Sequence, residues 1–295
     1  MYHHIYWCQI FLYNISVKLG AHIWIGEGLL KTIEVAEYLG CDCFQIFLHN
    51  PRSWEIKKRN RYEIIEFRKI LKEKGIEMVV VHMPYILNLS SPDKEISLLT
   101  MKKLEKEIEE SEEIGASYYV IHPGSHKGEG IESGWKRLVN NLKKFKDAKV
   151  KILIENTSGQ GNLLGSRWEE FKYAVEKLDG DIGICFDTAH AFQSGYRINT
   201  QNGLENMKKE IEKNFPLGYI HLIHANDSAT ECGSKKDRHY HIGKGFIGME
   251  GFESIIKDGF FGNLPFIIET PKSTIEKDKE NLRILRKIGE KYGKV

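Results

Sequence analysis

The chain has 295 residues, 41% apolar, 28% charged and 11% aromatic, enough apolar material for a sizeable core and too much for a disordered chain. Its 43 Lys and Arg against 41 Asp and Glu leave a net charge of +2, which by itself announces neither a nucleic acid nor an acidic membrane as partner. Five cysteines, at 8, 41, 43, 185 and 232, are too few and too scattered for a disulfide framework and suit a reducing, cytoplasmic compartment. Histidine, at twelve, is the one residue type in unusual supply.

No apolar run approaches the roughly 18 residues that cross a bilayer, so no membrane partner is expected. Residues 1–17, MYHHIYWCQIFLYNISV, are apolar and aromatic but lack a basic leading segment and a small-residue cleavage site, so they do not read as a signal peptide. They are set apart as an N-terminal appendage, as a start codon placed too far upstream would produce. The fold is expected over 18–295, as one catalytic domain.

From Lys18 onward, short β-rich runs alternate with longer stretches of helical period. The runs are 19–23, 43–48, 78–82, 118–122, 151–155, 182–187, 219–224 and 265–269. Between them lie stretches such as LLKTIEVAEYLG, EIIEFRKILKEKG, SLLTMKKLEKEIEESEEIG and WEEFKYAVEKLDG, several of them closed by a glycine stop. From the second run onward, successive runs end 32 to 45 residues apart, which leaves room for one helix and its loops, since a βα unit takes about 30 residues. Eight such units predict the α/β class and a single (β/α)8 TIM barrel with its active site at the C-terminal mouth of the strands. An open doubly wound sheet is the rival.

The run ends carry the chemistry. In order they are His22, the polar tail His49-Asn50, His82, His122, Glu155, Asp187, His224 and Glu269. A single strand-end histidine or carboxylate is more often a satisfied polar residue than a ligand. Seven of eight units ending this way point to one convergent site. Two local pairs extend it: Asp187 with His190 in FDTAH, and Asp237 with His239 in DRHYH, which share a face if the chain is extended there. Nitrogen and oxygen donors without cysteine clusters suit zinc or a neighbour such as manganese, in sites left open for chemistry. A carboxylate can bridge two cations about 3.5–4 Å apart, as in multinuclear hydrolases.

Other features carry less. GQGNLLG, 159–165, departs from the dinucleotide fingerprint and reads as an ordinary loop. Cys41 and Cys43 read as buried filler. KKRNR (57–61) and KKLEKEIEESEE (102–113) read as solvated charge, the former with a possible phosphate contact. No Ser-His-Asp arrangement with a nucleophile elbow is present.

Nine strings, GAHI (20–23), NPRSW (50–54), VHMPYILNL (81–89), IHPGSH (121–126), IENTSGQGNLLG (154–165), CFDTAHAFQSGY (185–196), HANDS (224–228), DRHYHIGKGFIG (237–248) and IIET (267–270), resemble endonuclease IV, in order and with compatible spacing. That is the zinc-dependent apurinic/apyrimidinic endonuclease family of base-excision repair. The resemblance implies three Zn2+ per chain. His82, His122 and a bridging Glu155 hold one; Glu155, Asp187, His224 and Glu269 hold or share the second; His190, Asp237 and His239 hold the third. It makes Glu155 and Glu269 catalytic, Glu269 by orienting or deprotonating the attacking water, and gives Arg52 and Tyr85 to DNA binding, as loop residues entering the minor groove. It implies a monomer that cuts damaged double-stranded DNA 5′ to abasic sites, leaving a 3′-hydroxyl and a 5′-deoxyribose phosphate, and that removes 3′-blocking groups. Pro51, Met83, Pro84 and Lys244 depart from the family pattern and touch loop geometry rather than the metal set. A metal-dependent sugar isomerase or epimerase of the same architecture is the alternative, and a non-catalytic DNA- or metal-binding barrel the third.

Overall fold

A computed structural model describes residues 17–56, 58–271 and 274–293. Residues 1–16 of the expected appendage lie outside the described residues, and Val17 is buried in the core. Strands β1 (Leu19–Ile23), β2 (Cys43–Ile46), β3 (Met78–His82), β4 (Tyr118–Ile121), β5 (Lys151–Glu155), β6 (Ile182–Asp187) and β7 (Ile220–His224) run parallel in chain order. A short antiparallel ribbon, β8 (Asp227–Ser228) with β9 (His239–Tyr240), follows, and β10 (Phe266–Ile268) then pairs with both β7 and β1. The sheet is a closed eight-stranded barrel, which disposes of the open-sheet rival. Helices α1 (Leu29–Leu39), α2 (Arg61–Glu73), α3 (Lys94–Ile114), α4 (Ile131–Leu142), α5 (Trp168–Leu178), α6 (Thr188–Ser194), α7 (Gln201–Asn214), α8 (Gly248–Lys257) and α9 (Ile275–Lys291) alternate with the strands. Among the described residues, no helix is long and apolar enough to cross a membrane.

Local chemistry sets these elements. Strands covered on both faces read as continuous apolar runs, as VVV in β3 and ILI in β5 do. Helix α3 starts at Asp93, whose carboxylate accepts the backbone N–H of Glu95 and Ile96, and ends at Gly115 with φ 78°. In β1, Gly20 is required for close approach: a Cβ there would lie 2.0 Å from the carbonyl oxygen of Cys43 on β2.

The barrel interior explains where the site sits. Cys43, Val80, Val120, Leu153, Cys185, Leu222 and Ile267 form a fully buried inner layer, each apolar side chain there worth on the order of 1.5–3 kcal/mol. Strand side chains alternate, so the next inward positions come two residues later. These are Gln45, His82, His122, Glu155, Asp187, His224 and Glu269. One step along the strands takes the barrel from an apolar floor to a polar mouth.

Two expectations need correction. His49 does not join the mouth, because β2 ends at Ile46 and the chain turns; His49 Nε2 lies 3.0 Å from Glu110 Oε2 on α3 instead. Nor is 102–113 wholly solvated, since Lys103, Glu107 and Glu110 point inward from α3 beneath the loop that follows β2. Arg59, in the other charge run, pairs with Glu110 and donates to the Leu48 carbonyl, so it is committed to the protein. Lys103 Nζ donates to the Glu55 carbonyl at 3.0 Å and sits 3.5 Å from Glu107 Oε1. Tyr119 Oη donates to Glu107 Oε2 at 2.8 Å. Low local dielectric makes such a buried network costly to leave half-satisfied, and this one fastens the loop to α3.

Burial pushes the Glu107 carboxyl up to about 7, against the opposing pull of Tyr119 and Lys103. Between its unfolded value and 7 the native state therefore holds a proton that the unfolded chain has lost. Stability contributed by Glu107 is present at low pH and falls as pH rises through that window. Relative to Glu107→Gln, wild type is expected to lose on the order of 3 kcal/mol between pH 4.5 and 8. Paired urea titrations at both pH values check this; a constant difference between the two proteins would refute it.

Candidate metal centre

Donor atoms from the strand ends meet in three groups, each with all its atoms within 4.8 Å of one another: His82, His122 and Glu155; Glu155, Asp187, His224 and Glu269; Asp187, His190 and His239. Glu155 is the hub and is fully buried. Its Oε2 lies 3.2 Å from Nε2 of both His82 and His122, and its Oε1 lies 3.2 Å from Nδ1 of His224. Glu269 Oε2 closes the second group, 3.3 Å from the same His224 Nδ1.

Four of these rings, those of His82, His190, His224 and His239, are oriented by what the outer nitrogen donates to. His82 Nδ1 faces the Met83 carbonyl at 2.8 Å, His190 Nδ1 the Asn156 carbonyl at 3.0 Å and His239 Nδ1 the Glu269 carbonyl at 3.3 Å. His224 uses Nε2 toward Gln45 Oε1 at 2.9 Å, which leaves Nδ1 for the centre. The D-x-x-H motif is a helix start: Asp187 caps α6 by accepting the His190 N–H at 2.7 Å, and the first turn brings the imidazole back over the site.

Asp237 stands at the edge, its Oδ1 3.3 Å from His190 Nε2 and 3.6 Å from His239 Nε2. The closest third group contains Asp187 in its place, so the Asp187 carboxylate serves two groups. Gln160, in the GQGNLLG loop, accepts the Asp237 N–H at 3.1 Å, which gives that ordinary loop a task at the site.

Burial opposes charge throughout the cluster, yet the ionised forms prevail. The Glu155 and Glu269 carboxyls are held well below the usual carboxylate range, chiefly by His224. Asp187 and Asp237 hold the His190 ring well above its ordinary value. A donor set this rich in carboxylate calls for positive charge. Glu155 Oε1 and His224 Nδ1 make the same demand, being buried without a hydrogen-bond partner although 3.2 Å apart. Two orphaned buried atoms cost about 1–3 kcal/mol each, and a cation between them removes that cost. The residues fit divalent metal with oxygen and nitrogen ligands.

Arg52 and Tyr85 lie on the rim. Arg52 is exposed in a turn fixed by its own N–H donating to Asn50 Oδ1 at 2.9 Å. Tyr85 is 58% exposed, its ring 5.1 Å from Phe47 and 6.2 Å from both His82 and His122. Lys244 turns to Glu280 on α9 at 2.8 Å.

Three supporting residues escape the sequence reading. Gln45 Nε2 donates to Glu269 Oε1 at 2.6 Å and lies 2.9 Å from His22 Nδ1. Asn156 receives the Asp187 N–H at 2.7 Å and donates to the Asp187 carbonyl at 3.0 Å. Asn226 donates to Asp187 Oδ2 and accepts the Glu269 N–H, both at 2.7 Å. The alternation along β2 could have revealed Gln45, two residues past the inner-layer Cys43.

The family model described as xylose isomerase-like TIM barrel matches residues 33–288. A protein named "Probable endonuclease 4" from Aquifex aeolicus is 41% identical over 277 residues, 91% of this chain and 96% of that protein. The crystal structure of endonuclease IV from Thermus thermophilus superposes with a TM-score of 0.82 at 30% identity, covering 93% of this chain and 99% of that one. D-psicose 3-epimerase, at 14% identity and a TM-score of 0.69 over 95% of this chain and 100% of its own, shares the fold alone. Identity of this extent to proteins of one name, over nearly the whole barrel, places the chain in the endonuclease IV family.

Proposed function

We propose that the protein is a zinc-dependent DNA-repair endonuclease that hydrolyses the phosphodiester 5′ to abasic sites in duplex DNA. The products are a 3′-hydroxyl and a 5′-deoxyribose phosphate, and the same site clears 3′-blocking groups. The enzyme acts as a monomer in the cytoplasm. The observation that carries this reading is the sharing of Glu155 and Asp187 among three adjoining ligand groups at the barrel mouth. The ions would be held by His82, His122 and Glu155; by Glu155, Asp187, His224 and Glu269; and by His190, Asp237 and His239.

Zinc bound there supplies Lewis acidity toward a phosphodiester and lowers the pKa of water to around 7. The protein supplies position. Gln45 and the Glu269 N–H bond to Asn226 aim the Glu269 carboxylate into the mouth, where it orients the attacking water and takes its proton at Oε. Carbonyl and carboxamide partners hold the imidazoles of His82, His190, His224 and His239 in the tautomer that presents a lone pair inward. A sugar-phosphate inside a duplex reaches such a mouth only by extrusion, and a nucleotide without a base costs least to unstack. Tyr85 and Arg52 fill the gap so created.

Purified protein should incise a duplex carrying one abasic analogue, leave undamaged duplex intact, and carry about three zinc ions per chain by elemental analysis. Conversion of ketoses or aldoses with the DNA left whole would assign the protein to the epimerases. Arg52→Ala is expected to raise KM for the abasic duplex about tenfold with kcat within about twofold, since it removes a contact to DNA and none to the reacting atoms. Steady-state incision checks this, and an unchanged KM would remove Arg52 from the interface.

A further inference from the structure

Beside the ligand groups, the mouth continues into a cleft of about 840 Å³ that runs from Glu269 and His22 out between the loops after β1 and β2. Its outer wall is Trp24, which is 69% exposed. An indole this open presents a broad apolar face to whatever enters the cleft. The ring is also seated: a Cβ on Gly26 would lie 1.9 Å from Trp24 Cζ2, so only glycine lets the indole rest on that backbone. Phe47 and Tyr85 line the same cleft, their rings 5.1 Å apart, and Phe47 is 4.4 Å from the His22 ring.

The polar lining selects among occupants. Asn50 and Asn60 commit their Oδ1 atoms to the N–H groups of Arg52 and Tyr62, so each presents its amide donors. Among the described lining residues the carboxylates Glu55, Glu63 and Glu269 outnumber Lys58 and Arg59, and Arg59 is already paired with Glu110, which leaves no positive excess there for a phosphate. Aromatic walls, amide donors and the lack of a positive excess fit a flat, uncharged, acceptor-bearing heterocycle.

We infer that this cleft receives a nucleobase of the substrate duplex, unstacked at the lesion and stacked against Trp24. The inference rests on the DNA-repair reading above. Extrusion and the wedge residues break stacking around the lesion, and a base left without a neighbour recovers it on the indole. The base comes either from the position opposite the lesion or from a neighbour on the incised strand.

The test uses the zinc-loaded protein and duplexes with one abasic analogue and 2-aminopurine opposite it, 5′ to it or 3′ to it. Stopped-flow emission should change on binding at one of these positions, which names the source. In Trp24→Leu that change should vanish and KM should rise about tenfold, the range that one base–aromatic stack supplies, with kcat within about twofold. Trp24→Phe should restore most of both. No emission change at any position in wild type, or Trp24→Leu matching wild type in emission and KM, overturns the inference while incision by wild type leaves the repair reading intact. Failure of wild type to incise any abasic duplex overturns both.

Discussion

Glu155→Ala is expected to lower kcat/KM on an abasic duplex by more than about 10²-fold and to carry away zinc with it, because one carboxylate serves two of the three ligand groups. The side chain lies at 3.2 Å from His82, His122, His190 and His224, so no neighbour can swing in to replace it without leaving its own post. Alanine also opens a polar cavity among imidazoles. Glu155→Gln separates the two effects, since it fills the volume and keeps one oxygen acceptor but surrenders the charge. Both variants should bind fewer zinc ions than wild type by elemental analysis, and circular dichroism should show the barrel intact. Near-normal incision with full zinc by Glu155→Ala would show that the carboxylate bridges nothing.

Much of this arrangement is legible in the chain because parallel strands write their register plainly. The predicted runs 19–23, 78–82, 151–155 and 182–187 coincide with β1, β3, β5 and β6, and the other four differ by one or two residues at their ends. The inward aim of the strand-end donors follows from that register, since an apolar residue at the inner layer fixes the inward direction two positions later. What stays hidden is what depends on the turn after the strand. The run ending at Leu48 conceals the true end of β2 at Ile46, and with it the departure of His49 toward Glu110 and the inward aim of Gln45. Helix α3 hides its buried charges for a related reason: the partner of Lys103 at four residues, Glu107, looks like any exposed helical ion pair until the loop above is in place. The net charge of +2 misleads for a third reason, being an average over a surface on which three zinc ions would set six charges in one place. Doubling of Asp187 between two groups belongs to the same class, because a single carboxylate in a motif does not announce how many neighbours fold against it.

Gln45→Leu isolates positioning from ligation. The carboxamide touches no substrate atom in the proposed reaction, yet it joins His224 Nε2 at 2.9 Å to Glu269 Oε1 at 2.6 Å. Leucine of similar volume fills the same buried place and removes both bonds. His224 is then free to present the wrong nitrogen, and Glu269 loses the donor that fixes its angle. Loss of such an outer partner costs typically about 10–100-fold in metal affinity or activity, and that range is expected here. The loss should be selective. Chelator competition should show one zinc released faster than in wild type, the ion of the group containing His224 and Glu269, while that of His82 and His122 is unaffected. KM for the abasic duplex should stay within about twofold, since Gln45 bonds to His22, Glu269 and His224 and to neither of the proposed wedge residues Arg52 and Tyr85. A general loss of packing would instead lower thermal stability and release all three ions together, and an unaltered zinc release rate with full kcat would reduce Gln45 to a filler of the barrel.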